Sequence, residues 1–419
     1  MGLWANDEDD GDIAVVAAMA LGLEGEARFR ESVRKPNFLH RSDLLPDPRV
    51  GTPWQATYDG RNDQAFILTT GLDVSTFEYL LEGFEETWNS MPVPRDDVST
   101  HGQPRRSLSA AGALGLILQY LNSTMPEYSL HQIFAITPTV CSRYLELVMD
   151  ILQRHLRSLP EYIIAWPSNE ETFKDYASMI ELRHPSLENA FCFVDGLNIP
   201  VATSLHENVQ NAYYNGWTCS HYCSCVFAFA PNGRIIFASL NAPGSWHDAT
   251  IARDLYSKLL DRTPENYFAI ADTAFPRNQS RMQGRIKTPI KSNDKLPREL
   301  HAQGRLDELQ ELMRFNSELV SARQAAEWGM RAFQGSFARL KMPLPADDHE
   351  YRYRILEICA RLHQLRTVRV GINQIRNVYE RIWRDEDANA LVYEQFRTML
   401  FREITSNDRI ARYYRIHLE

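Results

Sequence analysis

Three acidic residues stand in segments that suit the holding of a hard metal ion. Asp195 closes the apolar run Phe191-Cys192-Phe193-Val194, and Asp272 closes Tyr267-Phe268-Ala269-Ile270-Ala271. Glu327 lies in a helical pattern from Ser321 to Arg331. Two strand-end aspartates and one helical glutamate, brought together, form an oxygen cage for a pair of Mg²⁺ ions. Such ions activate water and stabilise the leaving oxygen in phosphodiester cleavage. The residue types therefore point to a nuclease of the polynucleotidyl-transferase kind. Each carboxylate also has a plainer reading. Asp195 before Gly196 suits a turn, and Asp272 before Thr273 suits a turn or cap. Glu327 has Arg323 at i−4 and Arg331 at i+4, the spacing of helix-surface pairs.

The elements that must position these residues are legible as patterns. Strand character fills 190–280: Phe191–Val201, then His221–Ala230, then a Pro231-Asn232-Gly233 turn into Arg234–Leu240, and finally Tyr267–Asp272. Ser245-Trp246-His247-Asp248 opens a helix toward Leu260 between the last two strands. Arg298 to Gly335 reads as mainly helical, 349–384 as another helix and 389–403 as one more. Upstream, residues 1–60 hold an acidic start, a helical pattern from Asp12 to Val33, a stop at Lys35-Pro36 and a linker with Pro46, Pro48, Gly51 and Pro53. Residues 70–160 read as all-helical, with Val74–Asn89 and Ser107–Leu121 as two helices, the second just after Arg105 and Arg106. Tyr128 to Leu145 then reads as a helix-turn-helix with Thr137 as N-cap and Pro138 at the first helical position. Its second helix would offer Thr139, Ser142 and Arg143 to DNA, or the pair is merely a helical support. The expected division is 1–60 tail and linker, 61–165 helical domain, and 166–419 nuclease domain with a helical insertion and C-terminal helices.

Five segments in one order resemble the PIF/Harbinger transposase family: FVDGLNIPV (193–201), YYNGWTCSH (213–221), PNGRIIFASLNAPGSWHDATI (231–251), IADTAFPR (270–277) and FNSELVSARQAAEWGMRAFQGSFARL (315–340). Ala271 and Phe275 stand where that family often has Gly and Tyr, and Thr218 where a basic residue is frequent. The resemblance implies an α/β RNase H-like (DDE) catalytic core, an N-terminal all-helical helix-turn-helix region and C-terminal helices. It implies Asp195, Asp272 and Glu327 as catalytic and metal-binding residues, with two Mg²⁺ ions and Mn²⁺ as a substitute. His247 and Asp248, in the P-G-S-x-H-D segment, would support the ligands without binding metal themselves, or Asp248 would stand at a helix N-terminus. Arg323 and Arg331 would hold phosphates by forked hydrogen bonds, with Arg105, Arg106 and Arg143 as further DNA contacts. The implied activity is cleavage of transposon ends and strand transfer into target DNA by a homodimer or larger assembly, in the nucleus, with a Myb/SANT-like DNA-binding partner. A domesticated DNA- or chromatin-binding protein on the same fold is the alternative. A purely structural module would require the three carboxylates to be coincidental.

Composition bounds these readings. Of 419 residues, 44% are hydrophobic and 24% charged, which fits a globular chain with a full core. The early apolar run Ile13–Leu23 is too short to span a bilayer, and the acids Asp7–Asp10 before it are wrong for a signal peptide, so an intracellular protein is expected. Six cysteines fit a reducing compartment. Cys219, His221, Cys223 and Cys225 alternate along one strand, a row that rarely closes a zinc tetrahedron; buried thiols are the better reading. His247-Asp248 lacks the further ligands of an HD phosphohydrolase, and Asp7–Gly11 lacks the closing Glu of a calcium loop. The net charge of −9 is awkward for a DNA enzyme. Either a basic groove is hidden in an acidic chain, or a basic partner supplies the affinity.

Overall fold

The computed structural model describes residues 39–92, 106–276, 282, 284–291 and 294–380. The expected helix at Asp12–Val33, Arg105 and the helix at 389–403 lie outside the described residues.

The N-terminal part is helical from Pro53 onward. Helix α1 (Pro53–Gly60) begins inside the segment read as linker, with the Thr52 hydroxyl accepting from the Gln55 N–H and Pro53 in its first turn. Helices α2 (Asp63–Thr70) and α3 (Val74–Ser90) are capped by Asn62 and Asp73. The buried stripe of α3, Phe77, Leu80, Leu81, Phe84 and Trp88, keeps helical spacing. Helix α4 (Ala110–Asn122) is apolar nearly all round and is buried nearly all round. Helices α5 (Glu127–Phe134) and α6 (Pro138–Ser158) form the expected helix-turn-helix, with Ala135 left-handed in the turn. Pro138 opens α6 as expected, but the Thr137 side chain makes no cap bond.

After α7 (Glu170–Glu181) comes the sheet: β1 (Ala190–Pro200), β2 (Tyr214–Asn215), β3 (Ser220–Phe229), β4 (Ile235–Pro243), β5 (Phe268–Ala271) and β6 (Ile286–Lys287). A short helix, α8 (Glu207–Tyr213), precedes β2. Strands β4, β3 and β1 run antiparallel, whereas β5 joins β1 in parallel and β6 joins β5 in parallel. Helices α9 (Asp248–Ile251) and α10 (Arg253–Asp261) cross from β4 to β5. Three antiparallel strands, a helical crossover and two parallel strands make the RNase H-like α/β core that the sequence implied. Helices α11 (Leu296–Ala302), α12 (Leu306–Ser336), α13 (His349–Leu365) and α14 (Gln374–Tyr379) follow.

Two apolar layers fill the two faces of the sheet. One holds Phe193, Phe227, Phe229 and Ile270 beneath α12, α13 and α14, and it continues without a break into the N-terminal helices as far as Trp54. The other holds Val194, Val226, Ala228, Ala269 and Ala271 beneath α7, α9 and α10. The helical region is also joined to the core by polar contacts. Glu357 on α13 accepts from Gln153 Nε2 (2.7 Å) and Arg157 Nε (2.8 Å) on α6, and from Arg361 Nε (2.9 Å). The Tyr120 and Tyr351 hydroxyls meet at 2.7 Å. At the start of β4, the Gln364 side chain bonds both ways to the Ile235 backbone, accepting at 2.8 Å and donating at 2.9 Å.

Three expectations change. Asp195 does not end its strand: β1 runs on to Pro200 because β3 keeps pairing with it, Gly196 with Val226 through Pro200 with Tyr222. The helix opened by His247-Asp248 breaks at Ala252 into α9 and α10. The helix expected over 349–384 stops near residue 370, where a π turn (Arg366–Val370) ends in Gly371 at φ +75°. Among the described residues, no helix is long and apolar enough to cross a membrane.

Candidate active site

The sheet register decides which acids meet. The parallel pairing of β1 and β5 ends at Val194 opposite Ala271, so the next residues, Asp195 and Asp272, lie side by side. Side chains alternate along a strand. Phe193 and Ile270 belong to the layer under α12, and Asp195 and Asp272, two positions on, share that face. Small residues let α12 approach. Ala322, Ala325, Ala326 and Gly329 are buried on its inner side, and a Cβ on Gly329 would stand 2.7 Å from the Phe229 ring. Glu327 therefore comes from the helix that lies over the two aspartates.

A guanidinium stands among the three acids. Arg323 Nη2 is 2.9 Å from Glu327 Oε1, and Nη1 is 3.6 Å from Asp272 Oδ1. Arg323 is 27% exposed, and its partners are 40% and 37% exposed. The Asp195 carboxyl is pushed up to about 6, chiefly by burial. The Gly196 N–H, donating to Oδ1 at 2.9 Å, pulls it back, Asp272 and Asp248 push it further, and Arg323 opposes them.

Asp248 enters from the other side. It is the first residue of α9, and its carboxylate lies against Gly196, where an added Cβ would be 2.6 Å from Cγ. Gly196 is one residue on from Asp195 and so faces the opposite layer. Asp248 approaches β1 beside Asp195, close enough for its charge to act on the Asp195 carboxyl. Burial raises the Asp248 pKa, His247 opposes and Asp272 adds to the rise. His247 itself is exposed. The V-D-G and H-D motifs are visible in the sequence, but the close approach of Asp248 to Gly196 depends on the fold and is not.

The donor set is all carboxylate oxygen, the chemistry that a hard divalent cation takes. Adjacent Asp195 and Asp272 carry like charges that a cation would offset, so Asp195, Asp272 and Glu327 are the residues that would hold one. Among the described residues, no three His, Cys, Asp or Glu side chains are grouped closely enough to ligate one ion. Glu327 is paired with Arg323.

The other candidates fall elsewhere. Arg331 is exposed one turn beyond Glu327, whose ion pair runs to Arg323 instead. Arg106 is engaged within the helical region: its guanidinium lies 4.5 Å over the Trp88 ring and donates to the Met91 carbonyl. Arg143 is half-buried on α6, with Thr139 and Ser142 exposed beside it. Ser142 borders a cleft with Glu127, Glu146, Asp348 and Glu350 against one guanidinium, Arg354, a charge balance that opposes phosphate. Cys223 and Cys225 are buried in β3 and Cys219 is exposed.

Neither the curated proteins nor the solved structures provide a match to the chain. Residues 194–364, which begin one residue before Asp195 and contain all three carboxylates, match the family described as DDE superfamily endonuclease.

Proposed function

We propose that this chain is a divalent-metal-dependent DNA endonuclease of the PIF/Harbinger transposase type. The observation that carries the reading is the adjacency of Asp195 and Asp272 on a parallel strand pair. Glu327 is delivered over the same face, all within a segment that matches an endonuclease family. Asp195, Asp272 and Glu327 would hold two Mg²⁺ ions, with Mn²⁺ as a substitute; the ions would supply Lewis acidity at the attacking water and at the leaving oxygen.

The remaining chemistry belongs to the chain. Water adds to the phosphorus of one DNA strand, the bond from phosphorus to the 3′ oxygen breaks, and that oxygen takes a proton to become a 3′-hydroxyl. The same hydroxyl then attacks a target phosphodiester and displaces its 3′ oxygen. The carboxylates orient these groups, and Arg323 and Arg331 neutralise neighbouring phosphates. Strand transfer needs two DNA ends together, which argues for a dimer or larger assembly in the nucleus. A net charge of −9 and an acidic cleft beside the helix-turn-helix favour a basic Myb/SANT-like partner as the source of DNA affinity.

The test is Mg²⁺-dependent nicking of end-labelled duplex DNA by the full chain and by Asp195→Asn, Asp272→Asn and Glu327→Gln. Each variant should lose cleavage by about 100-fold or more while remaining folded. Undiminished cleavage by Asp195→Asn or Asp272→Asn would remove the reading.

A further inference from the structure

We propose that Arg323 is a resident counter-ion that competes with the divalent cation for Asp272 and Glu327. A DNA phosphate would draw it off, so that metal loading and DNA engagement reinforce each other. The inference rests on the nuclease reading above and adds a linkage to it. Its first support is the geometry. One guanidinium contacts carboxylates on two different elements, Glu327 on α12 and Asp272 just beyond β5. The contact to Glu327 is an ordinary i,i+4 pair, which helix spacing alone produces. The contact to Asp272 needs the tertiary fold to bring helix and strand end together.

The second support is chemical. A guanidinium does not lose its proton in proteins, so its positive charge stays beside the two carboxylates until the side chain swings away. A cation placed on the same oxygens would sit within a few ångströms of a fixed positive charge. The two cannot share Asp272 and Glu327 without repulsion. The third support is the solvent access of the group. Arg323 is 27% exposed, and pairs that are open to water to this degree are weak enough to break. Phosphate accepts the same planar fork of N–H donors that carboxylate does, so incoming DNA offers the guanidinium an equivalent partner.

A merely structural salt bridge makes the opposite prediction. If Arg323 only held the acids in place, its removal would loosen the site and weaken metal binding. Competition predicts tighter binding. The probe is Mn²⁺, titrated into the full-length protein and followed by electron paramagnetic resonance of the free ion, without DNA and with a short duplex. Arg323→Gln should bind Mn²⁺ about tenfold more tightly than the wild type when DNA is absent. Duplex DNA should tighten Mn²⁺ binding by the wild type and do so much less in Arg323→Gln. Arg323→Lys, a point charge without the fork, should fall between the two. Mn²⁺ affinity that is unchanged or weaker in a folded Arg323→Gln overturns the proposal. The parent reading is checked separately. If Asp195→Asn and Asp272→Asn bind Mn²⁺ as tightly as the wild type, the metal site lies elsewhere and both claims fall. If they abolish it and Arg323→Gln still shows no gain, only the competition is lost.

Discussion

Replacing Gly196 with alanine tests the site at its most crowded point. The added methyl would stand 2.6 Å from the Asp248 Cγ and Oδ2 and 2.7 Å from Oδ1, whereas ordinary contact begins at 3.4 Å. Something must move by about 0.8 Å, the shortfall against that contact distance. Asp248 is short and anchored at the first position of α9, so part of the displacement passes to α9 or to β1 itself. The strand conformation carries no positive φ at this residue, and so the effect is steric, not a matter of backbone strain. Overpacking of this size costs about 1–3 kcal/mol. Asp195 is the neighbouring residue on β1, and misplacement of a reacting group by about 1 Å costs about 100-fold in rate. The expected result is a folded protein with a modestly lower melting temperature and nicking of end-labelled DNA reduced about 10- to 100-fold. Asp248→Ala in the same chain should restore much of the lost stability, because it removes the atoms that clash. Wild-type stability and cleavage in Gly196→Ala would refute the reasoning, as would a double variant no more stable than the single one.

Three further outcomes follow from the structure. Glu357→Gln removes the charge that Arg157 and Arg361 share with Gln153 and should destabilise the protein by about 2–4 kcal/mol, read by chemical denaturation, with Gln153→Ala costing less. His363 is fully buried and its folded-state pKa is pushed down from 6.5 to about 4, chiefly by burial. The unfolded chain therefore takes up that proton first as the pH falls; stability should hold above about 6.5 and drop by about 3 kcal/mol on the way to 4, a drop that His363→Gln would blunt in urea melts at several pH values. DNA binding by the isolated chain should show a shallow slope of log affinity against log salt, and a steep slope with tight binding at physiological salt would dispose of the partner proposal.

The strands were legible where burial on both faces writes a continuous apolar run. Phe191–Val201 and His221–Ala230 each fall within one residue of β1 and β3, and Pro231-Asn232-Gly233 turns the hairpin as its residue types demand. The Phe191–Val201 reading already enclosed Asp195; reading it also as a strand-end residue fits only its pairing with β5, which stops at Val194, while β3 carries the strand on. A single strand's sequence does not say which partner continues. The pairing of Arg323 with Glu327 could be read from helix spacing, but its contact with Asp272 depends on how α12 lies over the sheet. The break at Ala252 left no signal, since that residue is a good helix former; Gly371 was a visible stop that the longer helical reading passed over.

The bond pair between Gln364 and Ile235 has a consequence for how copies of this protein behave at high concentration. A carboxamide presents an N–H donor beside a C=O acceptor, as a peptide unit does, so Gln364 meets the backbone of Ile235 as a residue of a neighbouring strand would. The opposite border, β6, is only Ile286–Lys287. A two-residue strand at one border and a carboxamide bonded at the start of the other narrow the edge that is open to strand-by-strand stacking between molecules. Edge-to-edge self-association through the sheet is to that extent disfavoured when many copies are crowded together.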